Sequence, residues 1–523
     1  MTRLLRLAAV IALVPLAASG QEYDLVLRGG RLIDGTGAAA HAGDVAVRDG
    51  RIAAVGTFAG RGKTELMVEG RVVAPGFIDV HTHAEDVAEL PAAENFIRMG
   101  VTTIVTGNCG GSKLDVAAFF AEIERTGVSL NVATLIGHNT VRGQVMGGSF
   151  RRPPTKEELA AMCGLVERAM KAGAVGLSTG LIYLPGTFSK TDEIVELAKV
   201  AAAHGGIYAS HMRHENAQIV SALEEVAAVA RGAHIRAEIS HIKLGGGPVA
   251  WGRADEIIAW LERARASGLD LTQDQYVYTA SQTGISSRIP DEALEGGAQL
   301  FRQRIGDPAR KARFVDDMKS TLKKNQQPDY GFAVISDFPP DRRLNGKSIP
   351  QAAKFVRGSD SIDDQIELIL DLEARGGADA VFHGVDENDL QKFLVQPLTM
   401  IASDSGVRRF RHGVPHPRGY GNNARVLGHY VRELKLLSLE DAVRKMTSLP
   451  AQIFKLKNRG ELRTGFVADL VIFDPETVGS AATFDDPHHY ATGFSDVIVN
   501  GTPVIRAGEF MAARPGRPVR LNE

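Results

Sequence analysis

Two histidines in "DVHTH", His81 and His83, stand two residues apart. On a β-strand that spacing puts both rings on one face, where paired imidazoles can grip a divalent metal. Alone, such a pair is more often a surface or satisfied core feature than a ligand set. Three further residues shift the balance: Cys109 in "TTIVTGNCG", His211 in "ASHMRHE" and His241 in "ISHIK", each at the polar tip of an apolar run. Zinc bonds to neutral imidazole and to thiolate, and deprotonates a coordinating thiol outright. A ligand role therefore gives the glycine-lined cysteine a purpose, since glycine lets the backbone fold closely around it. Asp404 in "MIASDSG" ends another run. In isolation it reads as a turn or N-cap aspartate. Opposite a metal it becomes a natural general base, able to take a proton from water and pass it to a leaving amine. Metal plus carboxylate points to hydrolysis of a polarised carbonyl, most simply an amide.

Something must carry these side chains to one place. Eight strand-like runs have polar tips: "GFIDVHTHAE", "TTIVTGNCG", "NVATLIGHNT", "AVGLSTGL", "GIYASHMRHE", "HIRAEISHIK", "LDLTQDQYVY" and "TMIASDSG". Helical patterns such as "SALEEVAAVARG" and "ADEIIAWLERARASG" separate most of them. Alternating strands and helices imply a parallel sheet, and eight such units suggest an α/β fold closed as a (β/α)8 barrel over residues 76–454. Active sites of such barrels lie at the C-terminal ends of the strands, where the candidate residues stand. Residues 22–75 and 455–523 alternate apolar and polar positions, with hairpin signals at Asp49-Gly50 and Asn500-Gly501. These two ends are expected to meet as one small discontinuous β domain. Between strands seven and eight lie well over 100 residues, far beyond an ordinary βα loop. Residues 286–345 read as an insertion that could act as a lid, so deleting them should alter substrate preference more than metal content. The later pattern "SIDDQIELILDLEARGG" reads as the barrel helix preceding strand eight.

The chain has 523 residues, 44% of them hydrophobic, and a formal net charge of −2. That composition suits a large globular core and gives no sign of a nucleic-acid partner or an acidic membrane surface. Residues 1–20 combine Arg3 and Arg6, an apolar stretch and a small-residue exit, the layout of a secretory signal. Cleavage is expected near Gln21, giving an exported protein, periplasmic or secreted. The apolar stretch falls short of the roughly 20 residues that span a bilayer, so no stable membrane insertion is expected, and no cysteine follows the cut to take a lipid. Export leaves a Cys109–Cys163 disulfide open, although Cys163 sits in an amphipathic helix pattern and reads as a small core residue. A metal-bound sulfur would be unavailable for that pairing.

"PGFIDVHTH", the two later histidine tips and the terminal aspartate resemble the layout of the amidohydrolase superfamily. "TTIVTGNCG", "GLSTGLIYLPG", "SHMRHE", "HIK" and "HPRGYGNNARVLGHYVRE" narrow the resemblance to its D-aminoacylase (N-acyl-D-amino-acid deacylase) family, over nearly the whole chain from residue 22. The resemblance implies a tight zinc on Cys109, His211 and His241, and a second, weaker metal position on His81 and His83 with the cysteine able to bridge. It implies no bridging carbamylated lysine, and it makes Asp404 the catalytic aspartate. Lys243, Tyr276 and Arg418 would meet the substrate carboxylate. Guanidinium suits that task through two parallel hydrogen bonds, and the lysine adds a point charge. The implied activity is zinc-dependent hydrolysis of small-molecule N-acyl-D-amino acids. Dipeptidase or cyclic-amidase activity on the same scaffold, or a silent metal- or ligand-binding protein, are the rival readings; the oligomeric state stays open.

Two departures bear on the substrate. Ser405 stands where the family shows glycine, with extra residues before "HPR", and Gln282 falls where the family carries a hydroxyl, beside Ser281. Among other residues, His138 and Arg142 could line the pocket, and Tyr183 reads equally as pocket or packing. His214 and Glu215 could support a neighbouring ligand. His488 and His489 read as surface.

Overall fold

The computed structural model describes residues 22–521 and residue 523; the expected signal, residues 1–20, lies outside the described residues. Eight short parallel strands form the centre: β1 (Phe77–Asp79), β2 (Val101–Thr106), β3 (Asn131–Thr134 and Ile136–Gly137), β4 (Gly176–Gly180), β5 (Ile207–His211), β6 (Ala237–Ile239), β7 (Leu271–Gln275) and β8 (Thr399–Ile401). Each pairs with the next in parallel. The ring closes just beyond the strand ends, where Asp404 N–H donates to the His81 carbonyl and His83 N–H to the Ser405 carbonyl, both at 2.9 Å. Closure thus runs through the segments that carry His81, His83 and Asp404, which places these three side chains together.

Helices wrap the strands because their apolar residues recur at helical spacing. In Ile219–Ala233, Ala222, Leu223, Val226, Ala227 and Ala230 are all buried, an i, i+4, i+8 stripe facing the barrel. Capping sets where helices begin: Thr155 and Glu158 form a capping box at the start of Lys156–Lys171, and Asp115 caps Val116–Thr126.

The two β-rich ends join one nine-stranded sheet. The junction is antiparallel pairing of Val72–Pro75 with Leu470–Phe473, flanked by Tyr23–Leu32 on one side and Phe494–Val499 on the other. The final residues then return to the closed end of the barrel, where Gly516 bridges to Val128 and Pro518 to Val132.

The segment between β7 and β8 differs from its sequence reading. Ala280–Gly284, Ala333–Asp337 and Asp379–His383 form a separate antiparallel sheet. Helices between them surround a second core that includes Phe301, Phe314, Phe338 and Ile366. This core draws on residues from Ile285 to Phe382, a longer stretch than 286–345. Helix Ile362–Ala374, read as the barrel helix before strand eight, instead buries Ile366, Ile369 and Leu370 in that second core. Its partner strand Asp379–His383 follows it and holds it there. The barrel helix before β8 is the shorter Glu387–Leu394, capped by Asp386.

Candidate metal centre

Cys109, His241 and Asp404 all adopt left-handed backbone, with φ of 52°, 37° and 52°. For residues with a Cβ this conformation is costly and persists only where surrounding structure enforces it. Here each sits two or three residues beyond a barrel strand, and the turn swings its side chain inward over the strand ends. The glycines nearby permit close approach: a Cβ on Gly110 would collide with the Asn139 amide, and one on Gly180 with the Cys109 carbonyl.

The ligand candidates converge. Cys109 Sγ lies 3.5 Å from His211 Nδ1, 3.6 Å from His241 Nε2 and 3.3 Å from His81 Nε2. Metal–sulfur and metal–nitrogen bonds of about 2.3 and 2.0–2.1 Å give a tetrahedral S···N edge of about 3.6 Å and an N···N edge of about 3.3 Å. The Cys109–His211–His241 triangle meets the first. Its His211–His241 edge, 2.8 Å, must open by about half an ångström to meet the second. His81, His83 and Cys109 form an adjacent group, and His81, His241 and Asp404 a third. His83, whose side chain is 40% exposed, faces the open cavity. Both expected metal positions therefore have their donors assembled, with Cys109 between them.

Electrostatics favours the ligand forms of Cys109 and His211, while at His81, His83 and His241 burial is outweighed by the surrounding anions, which raise all three. Burial would push the Cys109 thiol up, but the His81 and His211 imidazoles outweigh it and hold the thiol well below its usual value. Burial lowers His211, keeping it neutral. Asp404 is buried too, yet Arg418 and His81 hold its carboxyl well below the ordinary range, so it stays ionised. Two carboxylates aim the rings. Asp274 accepts from His81 Nδ1 at 3.1 Å and from the His241 N–H at 3.0 Å. Glu215 lies 2.9 Å from His241 Nδ1. Behind Asp274, burial and the neighbouring charge push the Glu238 carboxyl well up.

The three residues assigned to the substrate carboxylate also come together. Tyr276 lies between Arg418, whose guanidinium is 4.6 Å from its ring centre, and Lys243, whose Nζ is 5.8 Å away. Lys243 Nζ is 2.7 Å from Glu215, and Arg418 Nη1 is 2.8 Å from Asp404 Oδ2. Beyond that ion pair, Arg418 Nε and the Tyr276 hydroxyl are buried without a hydrogen-bond partner. Such orphaned donors are rare in folded interiors. They are a ready receptor for an anion.

A cavity of about 770 Å³ opens over these groups, within the usual range for small-molecule sites. Its barrel wall carries His83, Cys109, His211, His241, Asp404 and Arg418; its opposite wall, from the inserted segment, carries Gln282, Phe332 and Phe382. Tyr183, also in the lining, sets its ring 4.9 Å from that of His211.

Other readings change. His138 and Arg142 turn away from the cavity and share Glu193 Oε1, at 2.8 and 3.0 Å, on helix Thr191–Ala203. His488 is half-buried and anchors the loop before "HPR": its Nδ1 accepts from Arg411 N–H and its Nε2 lies 3.0 Å from the Gly413 carbonyl. His489 is exposed beside Asp486. Cys109 and Cys163 are both free thiols. Sequence reasoning missed Asp274; its signal was an acidic residue inside the otherwise uncharged strand "LTQDQ".

A family model described as "Amidohydrolase family" matches residues 68–329 and 365–505. A D-aminoacylase of Alcaligenes xylosoxydans xylosoxydans is 37% identical, over 96% of this chain and 98% of that protein. The fold matches the crystal structure of a D-aminoacylase with a TM-score of 0.82 at 35% identity, covering 95% of this chain and all of the other. It also matches an N-acyl-D-glutamate deacylase of Bordetella bronchiseptica, solved with zinc and a phosphonate mimic of the tetrahedral intermediate, with a TM-score of 0.81 at 33% identity over 95% and 99% of the two chains.

Proposed function

The chain belongs to the amidohydrolase family, in the group of the D-aminoacylases, and from that membership we propose that it hydrolyses the amide bond of N-acyl-D-amino acids. The observation that carries the reading is the convergence of Cys109, His211 and His241 beside the ionised Asp404, with the orphaned donors of Arg418 and Tyr276 within the same site. Arg418, the Tyr276 hydroxyl and Lys243 hold the substrate α-carboxylate. This orients the acyl nitrogen toward Asp404. Cys109, His211 and His241 would hold zinc tightly, and His81 with His83 a second ion more weakly. Bound there, zinc supplies Lewis-acid polarisation of the scissile carbonyl and acidity to a water. Asp404 takes the proton from the attacking water and returns it to the leaving amine. Asp274 and Glu215 fix the imidazoles so that their ring nitrogens stay aimed.

A free α-carboxylate is what a pair of cationic anchors recognises, which disfavours cyclic imides as substrates. The N-terminal pattern supports placing the enzyme outside the cytoplasm, and among the described residues no helix is long and apolar enough to cross a membrane. Release of free amino acid from N-acetyl-D-amino acids and their L counterparts, with bound metal quantified on the same sample, tests the reading. Turnover of D alone is expected. Equal turnover of both enantiomers would remove the D-specific assignment, and a zinc-loaded protein inert toward the whole series would remove the enzymatic one.

A further inference from the structure

The charged side chains lining the cavity pair off unevenly. Glu215 serves Lys243, Asp404 serves Arg418 and Glu225 serves Arg213. Among the described residues, Arg288 and Arg408 are left with no carboxylate at ion-pair distance. Arg288 lays its guanidinium on the Phe382 ring, 4.7 Å from the centroid. Arg408 has no such cover. It is half-buried, and its polar contacts are with neutral oxygens: Nε to Ser405 Oγ at 3.4 Å and Nη2 to Gln282 Oε1 at 3.4 Å. Asp86 and Asp379 line the same cavity but stand farther off.

These contacts join the loop after β8 to the inserted sheet. Ser405 and Arg408 stand on the loop between β8 and "HPR", and Gln282 on the inserted sheet. Gln282 Oε1 also accepts the His416 N–H at 3.1 Å, while its Nε2 donates to Ser336 Oγ at 3.1 Å. The amide thus ties the loop before "HPR" to the inserted sheet and steadies Arg408. Backbone packing sets the guanidinium beside the anchor for the α-carboxylate, because the Arg408 stem lies against Gly419, the residue after Arg418.

Arginine cannot neutralise itself by losing a proton, and keeping a half-buried guanidinium with no carboxylate in contact costs free energy. An anion that enters the cavity removes that cost. Resting on the proposed deacylase activity, we infer that Arg408, steadied by Ser405 and Gln282, receives a second carboxylate of the substrate, making the preferred substrates N-acyl-D-amino acids that carry two carboxylates. Its place next to Arg418 favours a carboxylate on the amino-acid side chain over one at the far end of the acyl group.

The test compares kcat/KM for N-acetyl-D-glutamate, N-succinyl-D-alanine and N-acetyl-D-methionine in wild type, Arg408→Met and Arg408→Lys. The ratio of glutamate to methionine derivative should fall about 30-fold or more in Arg408→Met, with partial retention in Arg408→Lys. The ratio is internal to each preparation, so partial misfolding cancels. A fall confined to the succinyl compound would move the second carboxylate to the acyl end and overturn the side-chain assignment. Wild-type preference for the methionine derivative, with a ratio unchanged by either variant, would overturn the role of Arg408 while leaving the deacylase reading intact. No turnover of any compound by zinc-loaded wild type would overturn both.

Discussion

The two walls of the cavity are built on different principles. On the barrel wall, reactive groups are backed by others: Asp274 aims His81, Glu215 aims His241, and Arg418 keeps Asp404 charged. Three residues there hold a strained backbone to reach their places. The opposite wall comes from a segment with a core of its own, and it offers aromatic faces, an amide and the Arg288 guanidinium, which has no carboxylate partner at ion-pair distance. A wall of interlocked charges cannot vary one member without disturbing several; a wall resting on a separate core can change its lining while the metal donors stay put. The difference teaches where chemistry and selectivity reside.

That contrast can be broken at its strongest point first. Cys109→Ala should abolish tight zinc binding and with it detectable turnover, measured by elemental analysis and by amino-acid release; retention of one full zinc would deny the cysteine its place between the two metal positions. Next, Asp404→Asn should lower kcat by about 10²–10⁴-fold while zinc content stays at the wild-type level. A parallel loss of metal would make the aspartate a structural ligand instead of the proton carrier. Asp274→Asn sharpens the idea that the barrel wall is interlocked. Metal affinity, followed by competition with a chelator, should weaken about 10–100-fold, although Asp274 is not itself among the donors. The smallest effect belongs to the other wall. Phe382→Ala should change the ranking of substrates by about tenfold and leave zinc content untouched, and a drop in metal there would erase the distinction between the walls.

Legibility in the sequence followed the same divide. The barrel strands announced themselves because apolar runs ended in residues with few reasons to be at a strand end, and His81, His83, Cys109, His211, His241 and Asp404 do converge. The inserted segment did not, for a physical reason. The apolar period of "SIDDQIELILDLEARGG" marks a buried helical face but does not say which core receives it, and the second core claimed it. Residues buried in charge networks misled in both directions. Asp274 passed for strand interior and proved to aim the His81 ring and hold the His241 backbone N–H, whereas His138 and Arg142 looked like pocket residues and are spent on Glu193. His488 looked peripheral because its partners, Arg411 and Gly413, come from a loop distant in sequence.

The sheet assembled from both ends of the chain carries a consequence for biosynthesis. Val72–Pro75 lies between Tyr23–Leu32 and Leu470–Phe473, so one of its edges waits uncovered until almost the entire polypeptide has left the ribosome. Synthesis proceeds at about 5–20 residues per second, which leaves that edge bare for tens of seconds in every round of translation. Whatever accompanies the nascent protein must shield the edge for that interval.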